Sequence, residues 1–379
     1  MVTAPSSAMS KVWELYQDRP KRALELKERE GRKIMGYFCC YVPQELLTAV
    51  DITPYRIMGD LQFETGVADA YAETDMCPYI RNCFAMGISG QYDFLNGIIF
   101  PHSCDNVQRM YDPWKYFVKH EYYRYFQIPH TIRPTSANFY RTELGFFKET
   151  LEKYLGQEIP QDRVREAIKL HNEYRALMRE LYELRKPDPP LVYASEITAI
   201  MRATMGIPVH EANALLRQVI DEIKDRPERP PKTKARLMIS GSEIDDVALL
   251  KLVEDSGANV VIDDLCVGTR HFWKDVPETE DPLDGIASHY MLDTMCPRTF
   301  RETLDDRFSY IYDYAKGWNA NGVILFIIKF CESEELDVPQ LRDYLQERGL
   351  PVLHLEEDYR LASIGQLKTR VQAFIEMIL

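Results

Sequence analysis

The chain has 379 residues, enough for two or three domains of ordinary size, so burying a sizeable core is not the limiting question. Its 46 Lys and Arg stand against 59 Asp and Glu, a net charge of −13, which argues against nucleic acid or an anionic membrane surface as a partner. No run approaches the roughly eighteen apolar residues that span a bilayer, and the opening "MVTAPSSAMSKVWELYQDRP" lacks a leader's apolar core, so a soluble cytoplasmic protein is expected. Eight cysteines in that compartment are not expected to form a disulfide framework. Each is a buried small hydrophobe, a metal ligand or a reactive thiol.

Taken in chain order, "SKVWELYQDRPKRALELKEREGRK" places apolar residues at helical spacing and is interrupted at Pro20, which predicts a pair of surface helices. "IMGYFCCYVPQELLTAVDITPYRI" predicts a strand over 34–41, a helix whose first turn is marked by Pro43 and Glu45, and a second strand over 53–57. "LNGIIFPHSC" is apolar on both faces, as strands inside a parallel sheet are. From residue 144 to about 225 the pattern turns to long helices. Val164, Ile168, His171, Tyr174, Met178 and Leu181 recur on one face, "KPDPP" stops that helix, and a second helix pair spans 195–224.

The proline-rich, charged "DRPERPPKTKAR" reads as a linker. After it, strands "ARLMISGS", "ANVVIDDLC", "GVILFIIKFC" and "LPVLHLEED" alternate with helices, with a loop-rich passage after the second. This predicts an α/β protein of two doubly wound parallel-sheet domains, Rossmann-like or flavodoxin-like, with a helical subdomain between them. The expected boundaries are 1–143, 144–225 and 226–379. In such sheets ligands sit at the carboxyl ends of the strands.

The cysteines fall at those ends. Cys104, Cys266 and Cys331 each close a predicted strand, and Cys77 precedes Pro78, placed as a first-turn helix residue, where the helix dipole stabilises a thiolate. Six residues of helix separate Cys77 from Cys83 and put them on different faces, so Cys83 reads as packing. Cys39 and Cys40 are adjacent in a predicted strand, so at most one can look into a given site. No CxxC repeat or Cys/His cluster supports a structural zinc. Dispersed cysteines at separate strand ends suit an iron–sulfur cluster, beside the plainer reading as buried hydrophobes.

The segments "GYFCCYVPQELLTAV", "MCPYIRNCF", "YDFLNGIIFPHSCDNVQRMYD", "DDLCVGTR", "NGVILFIIKFCESEELDVPQL" and "LPVLHLEEDYRLASIGQLKTRVQAFIEM" together resemble the 2-hydroxyacyl-CoA dehydratase D-component and benzoyl-CoA reductase family of anaerobic iron–sulfur radical enzymes. The resemblance implies that Cys77, Cys104 and Cys331 hold a 4Fe-4S cluster with one iron left open. It implies a homologous second iron–sulfur subunit, an ATP-hydrolysing iron–sulfur activator that injects a low-potential electron, and an acyl-CoA substrate that becomes a radical anion.

The closing segment, with Cys266 and Cys296, is similar to the reductase and double-cubane branches. A benzoyl-CoA reductase-type oxidoreductase subunit is therefore favoured, with a 2-hydroxyacyl-CoA dehydratase, a lyase, or a double-cubane reductase or electron relay as the alternatives. A second cluster on Cys266 and Cys296 is implied only in part, because the double-cubane pattern has a further cysteine where this chain has Thr294.

Other candidates have a plain reading beside a functional one. His102 can bond a ligand or relay a proton, or be an ordinary loop histidine. Arg81 can meet a CoA phosphate or a cluster's charge, or be solvated. Gln44 and Glu45 can touch substrate or cap a helix. "SGSEIDD" lacks the glycines and lysine of a phosphate loop, and no nucleotide is assigned to it. The tyrosines of "YFVKHEYYRYFQ" can line an acyl pocket or pack at a subunit interface.

Overall fold

The computed structural model describes residues 7–379; the first six residues of the stretch read as lacking a leader lie outside it. Among the described residues eight strands form two parallel sheets. β1 (Ile34–Tyr37), β2 (Thr53–Arg56), β3 (Gly97–Pro101) and β4 (Tyr122–Phe126) lie in the order β2-β1-β3-β4. β5 (Ala235–Gly241), β6 (Ala258–Asp264), β7 (Gly322–Ile328) and β8 (Val352–Glu357) repeat that order as β6-β5-β7-β8. Each sheet therefore reverses its winding beside its first strand, between β1 and β3 and between β5 and β7, as a flavodoxin-like sheet does. The central strands "GIIFP" and "GVILFII" are buried along their whole length, as the two-faced apolar pattern requires. Among the described residues no helix is long and apolar enough to cross a membrane.

Two strand expectations change. β1 ends at Tyr37, not at residue 41, because its ladder with β2 and β3 runs out there; Cys39 then turns with φ at +57°. β4 was not expected. It is an edge strand, "YYRYF", whose middle residues are only half-buried, so its pattern lacks an apolar signature. Tyr122, Tyr123 and Tyr125, read as pocket or interface tyrosines, are members of this strand. Gly97 is what lets β4 lie so close: a Cβ there would stand 2.6 Å from the Tyr122 carbonyl oxygen.

The helix-rich part begins earlier than expected, at Pro134, whose fixed φ suits a first helical turn, so residue 144 lies inside the helix Pro134–Leu155. The helices Gln161–Glu183, Ala194–Thr204 and Val209–Asp225 follow. The passage read as loop-rich carries the short helices Thr269–Phe272 and Pro282–Ser288 and a π-turn, His289–Asp293. Leu283, Ile286 and Tyr290 of this excursion pack in one apolar cluster with Tyr140 and Phe147 of the helix-rich part and Tyr37 of β1.

Glu45 does not cap its helix. It is fully buried, accepts from Arg175 at 2.6 Å and from the Tyr290 hydroxyl at 3.0 Å, and so ties the first sheet to the helix-rich part and to the excursion. Burial opposes its ionisation, but Arg175, His171 and the Arg175 hydrogen bond outweigh that and hold the carboxyl at about 2. A carboxyl lowered by folding stabilises the protein above its unfolded pKa, and that contribution is lost as pH falls toward 2. Glu45→Gln leaves Arg175 buried without its counter-charge, and urea unfolding at pH 7 should show a loss of ~3–5 kcal/mol. The variant should also lose less stability than the wild type between pH 5 and pH 2.

Candidate metal centre

The carboxyl ends of the two sheets meet. Arg56, last residue of β2 and fully buried, pairs with Glu243 beyond β5 at 3.0 Å, and the Gly59 amide donates to Asp245 at 2.8 Å. Glu243 and Asp245 of "SGSEIDD" are thus engaged inside the protein. Gly241, with φ at +141°, lets β5 close on β7, and Ser242 beyond it donates its amide to the Phe326 carbonyl at 2.9 Å.

Three thiols are mounted on element starts around this meeting point. Cys77 caps the helix Pro78–Ile88, Cys104 follows β3 and caps Asp105–Phe117, and Cys331 follows β7 and caps the turn Glu332–Glu335. The amides of Tyr79 and Ile80 act to lower the Cys77 thiol, those of Asn106 and Val107 to lower that of Cys104, and the Ser242 hydroxyl to lower that of Cys331. Burial pushes the Cys77 thiol up to about 11 and that of Cys104 to about 12, and Cys331 well above the ordinary range. Cys104 and Cys331 are raised further by Cys77, and Cys331 by Cys104 as well, so the three share one environment.

This donor set fits a polynuclear metal group. The amides favour thiolate, while burial forbids thiolate until a cation is present. Among the described residues no three His, Cys, Asp or Glu side chains converge tightly enough for a single metal ion. A cluster holds its thiolates at separate corners, which suits ligands carried on three separate turns. Cys83 is fully buried beside the Tyr79 hydroxyl in the apolar core and is also raised by Cys77.

A second group of thiols adjoins the first, and it corrects the reading of the adjacent pair. Cys39 and Cys40 lie in a turn and not in a strand; they pack in different apolar clusters, and each has Cys266 as a neighbour. Cys39 accepts a hydrogen bond from Ser103 at 2.8 Å and lies near Cys104 and Cys266. Cys40 is raised by its neighbours Cys266 and Cys296. Thr294 lies outside this group, with its hydroxyl on the His289 carbonyl. The Cys40 hydrogen bond, stronger than the opposing effect of burial and helped by Arg270 and Arg298, holds Cys296 below the ordinary thiol range. The usable sequence signal was "CCYVP": a proline shortly after the pair marks a turn, not a continuing strand.

A cavity of about 750 Å³ opens beside Cys104, lined by His102, His130, Arg298, Arg301 and Arg307, with Phe300, Leu304 and Leu336 exposed at its edge. His102 and His130 face each other at 3.3 Å between Nε2 atoms, and Arg298 donates to the carbonyls of His102, Ile128 and Pro129. Arg81 is not at this cavity. It pairs with Asp69 and donates to the Thr74 carbonyl at 3.1 Å, stapling the loop before its own helix. Gln44 contacts His271 at 3.4 Å.

Fold and site together define a two-sheet parallel α/β protein with a thiol-rich centre where its strand ends meet and a cavity beside it. The family model described as 2-hydroxyglutaryl-CoA dehydratase, D-component, matches residues 39–378, and the chain belongs to this family. It is 28% identical to a benzoyl-CoA reductase subunit of Thauera aromatica over 96% of both chains. It is 26% identical to the (R)-phenyllactyl-CoA dehydratase beta subunit of Clostridium sporogenes, over 96% of this chain and 97% of that one. It is also 26% identical to the beta subunit of (R)-2-hydroxyglutaryl-CoA dehydratase from Acidaminococcus fermentans, over 98% and 99% respectively.

The lowered Cys296 gives a direct test. In metal-free protein under anaerobic conditions, the ultraviolet thiolate absorbance should show a step below the ordinary thiol range near 8.5. Cys296→Ser should remove that step and Cys331→Ser should leave it.

Proposed function

We propose that the chain is the iron–sulfur subunit of an enzyme that carries out single-electron chemistry on an acyl-CoA thioester, of the benzoyl-CoA reductase type. What supports the reading is that Cys77, Cys104 and Cys331 sit at element starts of two domains whose sheets' carboxyl ends meet, with Cys104 lining a cavity large enough for an acyl group. A 4Fe-4S cluster held by these thiolates would supply low-potential electron transfer and a site for a substrate oxygen. The protein's own part is to set the Tyr79, Ile80, Asn106 and Val107 amides beside the thiols, which favours the thiolate form. Burial of the thiols keeps water from the reacting region. The cavity lining carries both signs of charge, Arg298, Arg301 and Arg307 beside Asp105, Glu302, Glu332 and Asp337, with Arg307 paired to Asp337 at 2.7 Å.

The relatives are subunits of reductases and dehydratases, which supports an enzyme working with a second, homologous subunit; an ATP-hydrolysing iron–sulfur activator is the expected electron source. The dehydratase reading is kept as the alternative because the dehydratase relatives lie within two points of identity of the reductase relative. A second cluster would draw on Cys266 and Cys296, with Cys40 now the nearest additional thiol.

Anaerobic reconstitution with iron and sulfide tests the centre: the wild type and Cys83→Ala should load, and Cys104→Ala should lose most bound iron. With partner subunit and activator, net electron consumption on benzoyl-CoA is expected. Water loss from a 2-hydroxyacyl-CoA without net electron consumption would select the lyase instead, and absence of iron in the wild type would sink the cluster.

A further inference from the structure

The three thiol-bearing turns come from three separate segments of chain, two in the first sheet's domain and one in the second's, and one side chain joins them. Asn106 lies in the first turn of the helix that Cys104 caps and is only 6% exposed. Its Oδ1 accepts the Cys77 amide at 2.8 Å. Its Nδ2 donates to the carbonyl of Phe330, the residue before Cys331, at 3.3 Å. Its own amide acts to lower the Cys104 thiol. One planar carboxamide is thus bonded to the backbone at two of the thiols and belongs to the backbone at the third.

The carboxamide suits this place for a chemical reason. Cys77 presents a donor and Phe330 an acceptor, so the joining group must accept at one atom and donate at the other, which also fixes which end of the amide is oxygen. Aspartate can accept from Cys77 but sets negative charge against the Phe330 carbonyl. Leucine has nearly the same shape and offers neither bond.

The Phe330 turn needs such a tie. Its φ is +63°, a left-handed conformation unfavourable for a residue with a side chain, and its ring is 42% exposed, so packing does little to hold it. Hydrogen bonds hold it instead: its amide donates to Glu335 at 2.9 Å and its carbonyl takes the Asn106 amide.

We propose that Asn106 is a positioning residue that sets the placement of Cys331 in the second domain relative to Cys77 and Cys104 in the first, and thereby the geometry of the three-thiol centre. This rests on the reading of that centre as a cluster site only where iron is measured.

The test is peptide-resolved alkylation of the metal-free protein by iodoacetamide under anaerobic conditions, comparing wild type with Asn106→Leu and Asn106→Asp. Losing a hydrogen bond worth about 1.4 kcal/mol should speed alkylation of Cys331 about tenfold in both variants. Cys77 should be faster in Asn106→Leu and nearer the wild-type rate in Asn106→Asp, which keeps its acceptor. Cys83, which does not touch Asn106, should be unchanged; a merely structural defect would accelerate it equally. Wild-type Cys331 rates in Asn106→Leu would overturn the proposal, as would equal acceleration at Cys83.

If neither variant folds, hydrogen exchange of the wild type decides: the Cys77 amide should be protected by its bond to Asn106, and unprotected exchange overturns the proposal. A wild type that binds no iron on reconstitution rejects the cluster reading and leaves the alkylation result standing.

Discussion

The constraint on which the rest depends is that strands of a parallel sheet all end at the same edge. Two such sheets with the same strand order, set so that their carboxyl edges meet, bring every strand-end turn of both domains into one small region. Buried ion pairs hold the edges together. Arg56 reaches from β2 to Glu243 across the two sheets, and within the second sheet's domain Arg270, also fully buried as a side chain, joins Asp264 at the end of β6 to Glu334 just past Cys331. Such pairs add little net stability over apolar packing, but breaking one leaves an uncompensated buried charge, so they fix relative position strongly.

Within that region the chemistry is decided by the balance between burial and donors. Burial alone makes a thiol a poor ligand by keeping it protonated. Helix-start amides beside Cys77 and Cys104 act the other way, and a bound cation would complete the shift. The neighbouring thiols behave differently, because Cys40 serves Cys296 as a hydrogen-bond donor and two arginines lie close, so one member of that group is favoured as thiolate without a metal. The two groups adjoin through Cys39 and Cys104.

The second domain's excursion explains how residues so distant in sequence come to share this region. Between β6 and β7 the chain leaves its own sheet and packs its short helix and π-turn on the helix-rich part, where Tyr290 meets Glu45. It returns carrying Cys296 past Cys40 and Arg298 past His102. The same passage forms one wall of the cavity beside Cys104, so the centre and its cavity are products of both domains.

Local sequence was enough for much of this. The apolar runs before Cys104 and Cys331 specify buried parallel strands, and Pro78 specifies a helix start after Cys77, because each depends on residues within a few positions. The two-sheet architecture followed from the alternation of those signals. What local sequence could not supply was where a strand stops and what meets it. β1 ends where its ladder partners end, which leaves Cys39 and Cys40 in a turn; β4 is held at an edge by Gly97 and by pairing, not by an apolar pattern of its own. Likewise the contacts of Glu45, Arg81 and Asn106 follow from no local pattern, since their partners lie as much as 245 positions away. The sequence by itself determined which turns bear thiols; only the tertiary structure decided which thiols share a site, because strand pairing and buried ion pairs act between segments that no local pattern connects.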